Sequence, residues 1–103
     1  MATTQIGNDM FEMKANEDGH IGLQGRLDAS QVEFARPCFD ALEGTVIADL
    51  SQLDYISSAG LGLFVRTHKR LSAAGHALKL TNPTPHVRNV FHYAGLDKIF
   101  GLD

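Results

Sequence analysis

The stretch from Thr45 to Leu80 restricts the fold more than any other part of the sequence. Thr45-Val46-Ile47-Ala48-Asp49-Leu50 is a short, nearly continuous apolar run. Such a run suits a strand buried on both faces, hence a central parallel one. It runs into a polar loop and then the pair Ser57-Ser58. From about Ala59 to Ala74, Leu61, Phe64, Val65, His68 and Leu71 lie along one stripe at helical spacing, and Gly75 ends the helix. His76 to Leu80 reads as the next strand. Strand, helix and strand in that order imply parallel pairing through a crossover.

The flanking segments extend this plan. Met10 to Ala15 alternates loosely and reads as an edge strand. Asn16 to Gly19 has turn chemistry, so His20 to Gln24 returns antiparallel. Ser30 and Glu33 match a capping box. Val32, Ala35, Phe39 and Leu42 then recur at helical spacing, so residues 31–43 read as an amphipathic helix. Pro37 within it predicts a kink or a late start, and Gly44 a stop. Thr84 caps a further helix with Pro85 at its first position. Val87, Val90, Phe91 and Ala94 form its apolar stripe, Gly95 terminates it, and Leu96 to Phe100 reads as a last short strand. The order ββαβαβαβ predicts an α/β fold. Its sheet is mixed, mostly parallel and four- to five-stranded, with an antiparallel edge hairpin and about three helices packed on it.

Length and composition narrow the function. The 103 residues are expected to form one domain spanning 1–103. No apolar run approaches the ~20 residues of a membrane span, and Met1 to Gln5 shows neither the basic start nor the apolar stretch of a secretory signal. The single cysteine, Cys38, forms no internal disulfide and fits a reducing cytoplasm. Net charge is −3, and only Arg66, Lys69 and Arg70 among the nine Lys and Arg lie close together. They read as the wet face of a helix, so nucleic-acid binding is not expected. The five histidines show no triad or metal-ligand spacing. No cofactor, metal or membrane partner is expected, and a monomer is expected for the free protein.

Chemistry concentrates at Ser57-Ser58-Ala59-Gly60-Leu61-Gly62. A hydroxyl at a helix start sits beside unpaired backbone N–H groups and the positive end of the dipole. It can cap the helix, accept a phosphoryl group or carry a nucleophile. The glycines match neither a P-loop, which needs its lysine, nor a nucleophile elbow, because Ile56 stands where the first glycine would be. Capping and phosphoryl acceptance remain open on these residues alone.

Three segments in order resemble the STAS domain, and specifically the bacterial anti-sigma factor antagonists. Gly25-Arg26-Leu27-Asp28 resembles the family's Gly-Glu-Leu-Asp. Asp49-Leu50-Ser51 through Ile56 to Gly62 resembles its Asp-Leu followed by Asp-Ser-Ser/Thr-Gly-Leu-Gly. Pro85 to Leu96 resembles its Pro-x-Val-x-x-x-Phe…Gly-Leu ending. The resemblance implies partner switching and no catalysis by the chain itself. The unphosphorylated antagonist binds a serine-kinase anti-sigma factor, phosphorylation by that kinase disables binding, and a metal-dependent serine phosphatase restores it. The acceptor falls on Ser58, with Ser57 as rival. Arg26, Asp28, Asp54, Ser57, Ala59, Gly60, Leu61 and Gly62 are the implied partner-binding residues. This sequence has Ser57 where the family has Asp and Arg26 where it has Glu, and Asp54 is a candidate replacement for the missing acidic charge. The alternative is a constitutive STAS interaction module or small-ligand sensor whose serine is never modified.

Overall fold

A computed structural model of the chain describes residues 4–8, 10–15 and 18–102. Five strands form one sheet in the order β1 (Thr4–Gly7), β2 (Phe11–Ala15), β3 (His20–Leu27), β4 (Val46–Ile56) and β5 (Leu78–Thr81). The β1–β2 and β2–β3 ladders are antiparallel; β3–β4 and β4–β5 are parallel. The helices are α1 (Ala29–Asp40), α2 (Ser58–Ala73), α3 (Pro85–Tyr93) and α4 (Asp97–Phe100). The antiparallel hairpin, the central parallel strand, and the helix opened by Thr84 and Pro85 stand where the sequence places them. Of the turn expected at Asn16 to Gly19, Asn16 and Glu17 lie outside the described residues.

Five expectations are corrected. Residues 11–15 are not the edge of the sheet, because β1 pairs with them on the outer side. The central strand does not end at Leu50 but continues to Ile56. Nor is it buried on both faces. Val46, Ala48, Leu50, Leu53 and Ile56 join the core while Asp49, Ser51, Gln52 and Asp54 are exposed. All the helices contribute to that one core, so the opposite face, with Lys14, Gln24 and Lys79, is open to water. The first long helix begins two residues early, at Ala29, and runs through Pro37 without a late start. Leu96 to Phe100 gives a helical turn rather than a strand, and Phe100 packs edge-on against Phe64 and Phe91.

The basic cluster on α2 does more than face water. Arg70 donates from Nη2 to the carbonyls of Phe39 and Leu42, both 2.9 Å, and Arg66 reaches Asp40 at 3.3 Å. The two Arg70 bonds tie the carbonyls at and just past the end of α1 to α2. The buried stripe of α2 is Gly60, Leu63, Phe64, Thr67 and Leu71. It is turned slightly from the expected one, leaving Leu61, Val65 and His68 half-buried. Cys38 is half-buried against the core, and burial raises its thiol pKa, which keeps it protonated.

The geometry of β4 comes from two irregularities in its pairing with β3. The register shifts between Gly22 and Gln24, and again between Gly25 and Arg26. Gly22 and Gln24 face Asp49 and Gln52; Gly25 and Arg26 face Leu53 and Tyr55. At each shift β4 carries one residue more than β3. Every extra residue reverses the side-chain alternation, so core positions fall at Ala48, Leu50, Leu53 and Ile56. Gly25 serves this bend with a φ of 96°, which only glycine adopts freely.

Candidate functional site

The carboxyl ends of β3 and β4 lie side by side, and both lead directly into helices. β3 ends at Leu27, Asp28 follows, and α1 starts at Ala29; β4 ends at Ile56, Ser57 follows, and α2 starts at Ser58. Ser57 joins the two ends. Its backbone N–H and its hydroxyl both donate to the Leu27 carbonyl, at 3.0 and 3.2 Å, while Oγ accepts from the Gly60 N–H at 3.1 Å. Ser57 is therefore the N-cap of α2, half-buried, with its hydroxyl engaged as donor and acceptor.

Ser58 differs in each respect. It is the first helical residue of α2 and is exposed, and no hydrogen bond engages its hydroxyl among the described residues. Ala59 is exposed beside it. The first turn of α2 contains no acidic residue, so the positive end of its dipole is uncompensated.

Asp28 caps α1, a role the sequence reading gave to Ser30. Its Oδ1 accepts from the Ser30 hydroxyl at 2.7 Å and from the N–H groups of Ser30 and Gln31 at 3.1 and 3.2 Å. The Ser30 hydroxyl, then the two backbone donors and the nearby Arg26 charge, hold the Asp28 carboxyl below the ordinary carboxylate range despite some desolvation. Because the folded pKa is depressed, this contribution to stability is complete above the unfolded value of 3.8 and fades as pH falls through the native pKa. Urea midpoints of wild type and Asp28→Asn should therefore differ by a constant amount above about pH 5 and converge in stronger acid.

The remaining candidates divide. Gly60 is buried: a Cβ there would lie 2.8 Å from Ile56 Cγ1 and 2.9 Å from the Leu27 carbonyl oxygen. Its smallness serves the strand–helix junction. Gly62 is exposed with open space around it, and Leu61 is half-buried. Asp54 and Arg26 are exposed. Two residues escaped the sequence reading. Tyr55 sits opposite Arg26 in the ladder, with the guanidinium 4.4 Å from its ring centroid. His86 of α3 lies near parallel to the same ring at 6.1 Å. No motif marks either, and only the extension of β4 brings them to this rim. A depression of about 660 Å³ on the uncovered face, lined in part by His20, Gly22, Ile47 and Asn82, lies toward the opposite ends of β3 and β4.

The comparisons with known proteins settle the family. A family model described as Mlab, STAS domain, matches residues 10–102. The chain belongs to the STAS domain family. It is 44% identical over 80 residues to BtrV of Bordetella bronchiseptica, covering 77% of this chain and 69% of that one. It is 34% identical over 91 residues to the anti-sigma F factor antagonist of Lysinibacillus sphaericus, covering 84% and 78%. Its fold is similar to the solved structure of the anti-sigma factor antagonist SpoIIAA in its unphosphorylated form. That match has a TM-score of 0.71 and 28% identity, covering 86% of this chain and 84% of that one. It is also similar to the phosphorylated form of the Bacillus cell fate determinant SpoIIAA, with TM-score 0.65 and 26% identity over 86% of each chain. The STAS domain chain is thus a homologue of anti-sigma factor antagonists, which are regulators rather than enzymes. Among its described residues no helix is long and apolar enough to cross a membrane.

Proposed function

We propose that this STAS domain, one unit over residues 1–103, is a cytoplasmic anti-sigma factor antagonist switched by phosphorylation of Ser58. In its unphosphorylated form it binds a serine-kinase anti-sigma factor. The kinase transfers a phosphoryl group to Ser58 and binding is lost; a metal-dependent serine phosphatase reverses the step. The observation that carries this reading is the contrast between the two serines. Ser58 offers an exposed, unbonded hydroxyl at the head of α2, whereas the Ser57 hydroxyl is already held by Leu27 and Gly60. The likeness to a protein solved in unphosphorylated and phosphorylated forms supports it further.

The docking face comprises Ser58, Ala59 and Gly62, with Arg26, Asp28 and Asp54 around them and Leu61 at its border. All three bonds to Asp28 fall on Oδ1, which leaves Oδ2 to meet a partner. A phosphate on Ser58 adds roughly −1.5 to −2 of charge in the middle of this face.

Incubation with a purified serine-kinase anti-sigma factor and ATP, read by intact mass, tests the proposal. One added phosphate is expected on wild type and on Ser57→Ala, and none on Ser58→Ala. Ser57→Ala should still fold, with a loss of about 1 kcal/mol for the missing cap. A phosphate on Ser58→Ala equal to that on wild type would overturn the site assignment.

A further inference from the structure

We propose that Arg26, laid over the ring of Tyr55, is the anchor by which this domain selects a partner presenting a carboxylate; the inference rests on the kinase-binding reading above. Three observations place it there. First, the Arg26 guanidinium is exposed and has no hydrogen bond or ion pair among the described residues. Its N–H donors are thus available for the bidentate, planar contact that arginine makes with a carboxylate. Second, the group is oriented. Its carbon lies 4.4 Å from the Tyr55 centroid, His86 stands near parallel to the same ring, and the register shift after Gly25 sets Arg26 directly opposite Tyr55. An arginine already held on an aromatic face loses less side-chain entropy on binding. Third, the neighbouring Asp28 forms no ion pair with it. Asp28 feels the Arg26 charge, but its Oδ1 is committed to capping α1.

The location connects this pair to the serine site. Arg26 immediately precedes Leu27, whose carbonyl holds Ser57, and Tyr55 precedes Ile56 at the end of the neighbouring strand. A protein that covers the head of α2 therefore meets Arg26 at the rim of the same contact. Hot-spot positions of interfaces favour arginine and tyrosine for the same reasons of area and fixed geometry. The partner that fits is one with an Asp or Glu facing this rim. A partner with a basic residue there meets Arg26 with like charge and is excluded.

The test measures affinity for the purified kinase that phosphorylates Ser58, by calorimetry without ATP hydrolysis, for Arg26→Ala, Arg26→Lys, Arg26→Glu and Tyr55→Leu. Arg26→Ala should weaken binding about tenfold and Arg26→Glu about a hundredfold or more, with melting temperatures unchanged. Arg26→Lys should recover only part of the loss, because it keeps charge but not the fork. Tyr55→Leu should weaken wild type and have little further effect on Arg26→Ala. Lys98→Ala, outside the site, should bind as wild type. Arg26→Ala and Arg26→Glu proteins binding within twofold of a tightly bound wild type would overturn the anchor and leave the phosphorylation reading standing. A wild type that does not bind the kinase at all would overturn both.

Discussion

Replacing Gly60 with alanine is expected to destabilise the protein by about 2 kcal/mol, while the same change at Gly62 stabilises it by roughly 0.5–1 kcal/mol. Both glycines lie in the first turn and a half of α2, where alanine is the better helix former by about 1 kcal/mol. Propensity alone therefore gives both changes the same sign. Packing separates them. At Gly62 a new methyl meets nothing within 4 Å. At Gly60 it would stand 2.8 Å from Ile56 Cγ1, 2.9 Å from the Leu27 carbonyl oxygen and 3.2 Å from Leu27 Cγ. The Ile56 side chain can shift. The Leu27 oxygen cannot do so cheaply, since it accepts both the N–H and the hydroxyl of Ser57. Overpacking of this kind costs about 1–3 kcal/mol and outweighs the helical gain. Denaturant midpoints of the two variants should move in opposite directions. Equal stabilisation in both would mean that the junction of Leu27 and α2 relaxes freely.

Phosphorylation of Ser58 should lower affinity for the kinase by a hundredfold or more without lowering the stability of the free domain. The two halves have different causes. In the free protein the phosphate sits at the head of a helix with no acidic residue in its first turn. An anion there gains about 0.3–1 kcal/mol from the dipole and the free N–H groups. In the complex the same dianion must be stripped of water or set against partner acids, which costs several kcal/mol. Ser58→Asp carries one charge instead of nearly two and should weaken binding less, by about tenfold. Melting curves and calorimetric titrations of the phosphorylated, Ser58→Asp and unmodified proteins check both halves. Unchanged affinity after stoichiometric phosphorylation would remove the switch from this serine.

Much of the fold was legible because local signals agreed with the final packing. Thr84 with Pro85 defined the start of α3, and the hairpin of β2 and β3 followed from turn residues between two alternating runs. The errors have physical origins. Leu50, Leu53 and Ile56 are three apart, a spacing that no regular strand gives. The polar residues between them therefore read as loop, although two irregularities in the ladder make all of them strand. The start of α1 was ambiguous because Asp28 and Ser30 are both good capping residues. The decision came from outside the helix, where Ser57 fixes Leu27 at the end of β3 and leaves Asp28 to begin the turn. Ser57 and Ser58 looked alike as neighbours in sequence; the Leu27 carbonyl, thirty residues away, and the Gly60 N–H distinguish the bound hydroxyl from the open one. Tyr55 carried no signal at all, since its meaning depends on which residue of β3 stands opposite.

The second irregularity in β4 carries a consequence for chain length. Asp54 is exposed, and it is the residue that β4 has in excess of β3 between Leu53 and Tyr55. Deleting it would leave Leu53, Tyr55 and Ile56 in regular alternation opposite Gly25, Arg26 and Leu27, so the bulge would close with Tyr55 still outward and Ile56 still in the core. The extra residue thus sets the local twist of the strand end, and not which side chains enter the core.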